Sequence, residues 1–331
     1  MSTLPTADAT GTEVVPGIHR IDTPLGDRVN SIYLFVGEHI ALFDTAVDGA
    51  SEQYVVPYLA SLGREPGEVR WVIVSHCDVD HFGGLASASE AFPAAVTCAH
   101  HLDADEIEDF AVYEDHRARG FRAEHGLDET AEGLAWVRSV TREGPLRQRL
   151  VGNEQLRLSA DWTIDIVHVP GHSHGHLAMW DPRSRTAVVS DAVLSDAVRS
   201  AEGQPVFPPT YRYVGEYRAT IGAVTARRPA ALMTGHYPSM YGSDGLSFLH
   251  SSLAFTNVVE SAVLAALGRD PRSLLDILPE VNAVVASWPV SGTEGALAFP
   301  VVGHLEDLWS RGRIRRIEDS SGLTTWTRVD R

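Results

Sequence analysis

Disulfides, a secretion signal, a membrane span and a basic surface are scarce or missing in this 331-residue chain, and each shortage narrows its class. It carries two cysteines, Cys77 and Cys98. That is too few for a disulfide framework, so a reducing cytoplasm is the expected setting. The opening residues, MSTLPTADATGTEVVPG, have neither the basic start nor the apolar stretch of a secretory signal. Residues 1–16 read instead as a flexible tail. No apolar run reads as long enough to span a bilayer. Positive charge is short as well: 27 Lys and Arg stand against 44 Asp and Glu, a net charge of −17. Such a surface repels phosphate backbones and anionic headgroups, so a small-molecule substrate is expected rather than nucleic acid or a membrane. A homodimer is left open. No repeat or low-complexity segment stands out. At 44% hydrophobic and 21% charged, the chain has an ordinary globular composition and the length to bury a large core.

The first third alternates short apolar strands with helices. IYLFVG and HIALFD read as strands joined by a tight turn at GE, and SEQYVVPYLASLG reads as a helix capped by Ser51, kinked at Pro57 and stopped by Gly63. VRWVIVS is a buried strand, and GGLASASEAF a helix. Residues 101–150 turn charged and helical, an insertion that reads equally as a solvated excursion or a pocket wall. Strands return from 154 with EQLRLS, WTIDIVHV, HLAMWD and TAVVSD, followed by a helix, GEYRATIGAVTARR, and a strand, ALMTG. Two face-to-face sheets with helices outside satisfy this order. The division expected is a tail over 1–16, a main domain over 17–245 and a mainly helical module over 246–331. Helices followed by a hairpin in that module resemble a winged helix. Its Arg311, Arg313, Arg315 and Arg316 supply local positive charge, read against the acidic whole as decoration of a packing module.

The chemistry concentrates at strand ends. SHCDVDHFGG puts His76, Asp78, Asp80 and His81 within six residues, directly after the apolar WVIV. His172 follows a strand in VHVPGHSHGH, Asp191 ends AVVSD, and His236 ends ALMTGH. A lone strand-end His is more often a solvated loop residue. Seven imidazole and carboxylate groups at four strand ends make a metal centre the better reading, and open α/β sheets place their sites at such ends.

In this order the motifs resemble the metallo-β-lactamase superfamily over about residues 17–240. Its His-x-His-x-Asp-His signature is matched by His76, Asp80 and His81, and its later signatures by His172, Asp191 and His236. Asp44 in LFDTA matches a supporting aspartate, and His176 a histidine that orders the loop. The resemblance implies an α/β fold, a four-layer αβ/βα sandwich, with two divalent ions. His76, the residue at 78 and His172 would hold the first ion; Asp80, His81 and His236 the second; Asp191 would bridge them. Asp78 departs from the pattern, standing where the signature has a histidine. An anion there adds negative charge, makes bound water less acidic, and opens the site to iron or manganese where zinc is the first expectation. Flavodiiron proteins carry a carboxylate at this position, which makes a di-iron oxygen or redox protein the rival reading. They also need a flavin domain, and no Gly-rich phosphate loop follows residue 240.

Cys77 alternates with His76 and Asp78, so it is expected in the core. His174, and His100, His101, His116 and His125 around the insertion, read as surface residues. Tyr211, Arg212, Tyr213, Tyr237 and Tyr241 are candidates for substrate binding near the metal mouth, with aromatic packing as the equal alternative. The expected activity is metal-dependent hydrolysis: hydroxide held by the metals attacks the carbonyl of a thioester, lactone or other small ester, with Asp80 and Asp191 as catalytic carboxylates. A nucleic-acid-processing hydrolase is a further alternative.

Overall fold

The computed structural model describes residues 11–285 and 294–329. Among these residues two large sheets dominate, one of seven strands and one of six. The first runs in sequence order: β1 (Gly11–Val15), β2 (Ile18–Leu25), β3 (Arg28–Val36), β4 (Ile40–Phe43), β5 (Val69–Ile73), β6 (Val96–His100) and β7 (Gln148–Leu150). It begins as an antiparallel meander and turns parallel at β4–β5, where helices begin to cross over its outer face. The second contains β8 (Gln155–Ser159), β9 (Trp162–His168), β10 (Leu177–Asp181) and β11 (Thr186–Ser190). After a small ribbon of β12 (Val198–Arg199) and β13 (Pro205–Phe207), it is completed by β14 (Ala231–Thr234) and β15 (Met240–Tyr241).

Burial explains the patterns. IALF of β4 and TAVVS of β11 are buried throughout, as suits strands covered on both faces. One core lies between the sheets, where Tyr33, Phe35, Phe43 and Ile73 meet Leu158, Ile164, Met179 and Met233. A second lies under the helices Val56–Ser61 and Leu85–Ala91, and a third under Val214–Ala226. The result is helix, sheet, sheet, helix.

Several boundaries differ from expectation. Gly11–Val15 is not tail but an edge strand, paired antiparallel with β2; residues 1–10 lie outside the described residues. Ser51 does not cap its helix: it is buried within the first turn and Ala50 precedes it. The insertion is helical from Ala104, but its last residues, Gln148–Leu150, rejoin the sheet beside β6. His100 and His125 are buried rather than on the surface.

The division at 245 is not clean. The helix Ser243–Ala266 passes from one core into the next: Leu249 packs in the sandwich, whereas Val259 and Val263 pack against the helices Leu274–Val285 and Glu294–Ser310. By length and composition this helix is also long and apolar enough to cross a membrane, contrary to the expectation of no such run. Its buried residues recur every three or four positions, the stripe of a core helix. A small sheet of β16 (Arg272–Ser273), β17 (Ile314–Glu318) and β18 (Thr324–Arg328) closes the module. The insertion sits on it: Phe121 lies in the module's core, edge-on to Phe299 at 4.9 Å between ring centres.

Candidate metal centre

All the strand-end candidates converge. β4 runs into Asp44, β5 into His76, β9 into His172, β11 into Asp191 and β14 into His236. The strands feeding His172, Asp191 and His236 run the same way, since β9 and β11 each pair antiparallel with β10, and β11 pairs parallel with β14. The side chains meet at one edge of the sandwich in two groups: His76, His172 and Asp191, and Asp80, His81 and His236. Within each, one ligand atom per residue lies within 4.8 Å of the others.

The imidazoles are held from behind. His81 Nδ1 lies 2.9 Å from Asp44 Oδ2, and His236 Nδ1 lies 3.0 Å from the Val29 carbonyl. His76 Nδ1 lies 2.8 Å from Ser75 Oγ. Fixing one ring nitrogen aims the other, as in metal sites generally. The aimed atoms His76 Nε2 and His81 Nε2, with Asp191 Oδ1, are buried without a hydrogen-bond partner. Unpartnered buried polar atoms are costly, so their convergence fits a cation.

Charge points the same way. Burial alone would lower the imidazoles, but Asp191 and Asp80 outweigh it and push His236 up to about 10; the same carboxylates, with Asp44, raise His81 well above its ordinary value. Asp80 ionises despite its burial, at about 2, because His81 and His236 face it. The half of the centre at His81 and His236 draws protons onto its histidines at neutral pH and so lacks positive charge, which a divalent ion would supply; in the other half burial outweighs Asp78 and lowers His172.

Asp44 is the hub of this shell. It accepts from the Ser75 amide at 2.7 Å and the Ser190 hydroxyl at 2.8 Å besides facing His81. Its backbone is left-handed (φ 68°), as is that of Ser190 (φ 47°); such strain persists only where surroundings over-determine it. Gly235, before His236, has no room for a side chain: a Cβ would stand 2.4 Å from Asp191 Oδ1 and 2.9 Å from His81 Cε1. His176 stacks on His76 at 4.5 Å. Cys77 points into the core under the helices.

Asp78 is placed differently from its neighbours. Its carboxylate is gripped by Arg117 from the insertion, with Nε donating to Oδ1 at 2.6 Å and Nη2 to Oδ2 at 3.0 Å. The same Oδ2 lies 2.8 Å from His172 Nε2 and 3.5 Å from His76 Nε2. The expectation that Asp78 adds net negative charge is therefore corrected: a largely enclosed guanidinium offsets it.

The proposed substrate residues are mostly committed elsewhere. Tyr211 is buried, stacked on Tyr217 and bonded to His304 Nε2 at 3.0 Å. Arg212 forks onto Glu306 of the C-terminal helix. Tyr213 stacks on His174 at 3.6 Å. Tyr237 is buried, its hydroxyl accepting from the Ser195 amide and donating to the Ala197 carbonyl. Tyr241 is exposed and donates to the Val14 carbonyl. Packing and bracing account for Tyr211, Tyr237 and Arg212 better than ligand binding does.

Three residues that sequence reading missed belong to the centre. Asp103 is buried and accepts from Ser173 Oγ (2.5 Å), the Gly175 amide (2.6 Å) and the Cys77 amide (3.3 Å), joining the two histidine loops. Its position just past the end of β6 was the available signal. Asn30 donates to the Asp80 carbonyl from β3, and Arg117 arrives from 39 residues beyond Asp78; neither has a local signature.

The sequence profile of the metallo-beta-lactamase superfamily matches residues 25–236. The chain belongs to that superfamily. Membership, together with the two donor groups, makes it a metallo-hydrolase by class. A metallo-beta-lactamase family protein from Thermus thermophilus superposes with a TM-score of 0.70 at 20% identity, covering 96% of this chain and 100% of that one. A beta-lactamase domain protein from Burkholderia ambifaria gives 0.74 at 18%, covering 99% and 95%. Both superpositions run through the helical C-terminal region as well as the sandwich. A hydroxyacylglutathione hydrolase from Fuscovulum blasticum is 27% identical over 179 residues, 54% of this chain; the match spans 57% of that protein's length.

Proposed function

We propose that this superfamily member hydrolyses a small ester-type substrate, with a thioester as the first choice and a lactone as the second. The observation that carries the reading is the pair of donor groups, His76, His172 and Asp191 beside Asp80, His81 and His236, with Asp191 also 3.2 Å from His236 Nε2 and so facing both. Zinc is the proposed metal. When bound at such a site, divalent ions supply an activated water and a Lewis acid for the carbonyl. The chain's own part is to aim the donors from a rigid shell and to hold two carboxylates, Asp80 and Asp191, where a proton must be passed. The preference for thioesters draws on the hydroxyacylglutathione hydrolase relative, whose partial match makes this a proposal about the bond and not about the whole substrate. A small molecule rather than nucleic acid fits the net charge of −17 and the carboxylate partners of two of the module's arginines, Arg311 with Glu260 and Arg316 with Glu124. The free thiols of Cys77 and Cys98 suit a cytoplasmic setting.

Elemental analysis of protein purified without added metal, followed by a thioester, lactone and ester panel, tests the reading. Zinc with turnover that disappears in H76A, H172A and H236A is the expected result. Hydrolysis that survives all three substitutions ends it. Iron with a visible band on exposure to oxygen would favour the di-iron alternative, but Arg117 removes the electrostatic reason for that choice by pairing with Asp78.

A further inference from the structure

We infer that Arg117 competes with the metal for Asp78, so that the two metal positions load unequally and the one at His76 and His172 fills last. This rests on the metal-centre reading above and adds to it a residue from outside the signature motifs. Both carboxylate oxygens of Asp78 are taken by the guanidinium, at 2.6 and 3.0 Å. Arg117 also stands at the neighbouring donor: Nη2 lies 3.4 Å from His172 Nε2 and Nη1 lies 3.5 Å from the His172 carbonyl. Among the described residues no counterpart serves the other position, where Asp80, His81 and His236 face Asp44, Val29 and one another.

The guanidinium is not a chance surface contact. Its side chain is 10% exposed. It lies over the ring of Phe299 at 4.4 Å, so the C-terminal helix forms its floor. The turn that carries it, Glu114–Ala118, belongs to the insertion, which is anchored on the same module through Phe121 and by Glu124 to Arg316. A planar fork on a carboxylate, stacked on an aromatic ring, is a geometry lysine does not reproduce.

The consequence follows from charge. An ion that binds at His76 and His172 meets a carboxylate already neutralised and a fixed positive charge close by. Removing the guanidinium returns the full carboxylate charge to the cation. Arg117 is thus a positioning residue that trades affinity at one position for a neutral, ordered donor pair.

The test is stepwise loading of the metal-free full chain with Zn2+ in competition with a chromophoric chelator, repeated with Co2+ to read the ligand field. Wild type is expected to take one equivalent tightly and a second at least about tenfold more weakly. In R117Q the second equivalent tightens by about tenfold and its cobalt spectrum changes. D78N, which leaves an unpaired guanidinium at the position, loses the second equivalent. D78N/R117Q recovers part of it, the sign of coupling that a double-mutant cycle isolates. A second equivalent unchanged or weakened in R117Q overturns the inference, as does equal loading of both positions in wild type. Absence of metal from every variant overturns the metal centre itself and is told apart by that result. Should R117Q fail to fold, F299A carries the test, since it keeps both charges and removes the ring beneath the guanidinium, which Phe121 also contacts. A tightening of about threefold supports the inference, and no shift overturns it.

Discussion

The two halves of the centre are built by different means. The position at Asp80, His81 and His236 is made wholly by the sandwich: Asp44 behind His81, the Val29 carbonyl behind His236, and Asn30 on the loop of Asp80 all come from β3, β4 or the residue that follows β4. The position at His76 and His172 draws on regions distant in sequence. Asp103 ties its two loops together, and Arg117 reaches in from the insertion with Phe299 beneath it. One half inherits its rigidity from hydrogen-bonded strands; the other depends on how a helical excursion is seated on the C-terminal module. The half that leans on the inserted and C-terminal segments is the half in which the signature histidine has been replaced.

The largest effect should come from the residue the halves share. D191A is expected to lower turnover by about a thousandfold or more and to reduce metal content at both positions, measured by steady-state kinetics and elemental analysis. Loss at one position alone would break the view of Asp191 as common to both. Next, supporting carboxylates should separate the halves. D44N should weaken the metal held by His81 and His236 by about 10- to 100-fold and the other less, through Ser75, whereas D103N should do the reverse. Competition with a chelator reads both, and identical patterns from the two variants would erase the distinction.

A smaller effect concerns the seat on which the second half rests. Burial holds His304, in the C-terminal helix, down at about 3, and burial with His168 and His101 nearby holds His100 at about 4. Both imidazoles bind protons more readily when unfolded, near the ordinary 6.5. Their contribution is complete above that value and is lost as pH falls from about 6.5 toward about 4 for His100 and about 3 for His304. The melting temperature should fall across this window, less steeply in H304N; an unaltered slope in H304N would remove His304 from the explanation. The smallest effect is expected from Y211F. Losing the bond to His304 should cost about 1 kcal/mol in denaturant unfolding and leave kcat/KM unchanged. A raised KM instead would return Tyr211 to the substrate site.

Much of the centre was legible because its chemistry is local. His76, Asp80, His81, His172, Asp191 and His236 each follow an apolar strand, and a strand end aims a side chain predictably. The alternation that sends Cys77 to the core is also a property of the local backbone. The tyrosines misled because their positions near His236 and on the loop before the helix Val214–Ala226 say nothing about which way a ring faces. Tyr211 and Tyr237 turn inward, where their hydroxyls satisfy buried partners. The edge strand Gly11–Val15 was hidden for a similar reason: its partner, β2, decides that it is a strand at all.

By itself the sequence determined the sandwich, the superfamily and the candidate donors, since these rest on periodicity and on short motifs at strand ends. The tertiary structure alone decided the charge of Asp78. A carboxylate's character depends on what stands within a few ångströms of it, and Arg117 reaches that distance only after the insertion has packed on the C-terminal helix.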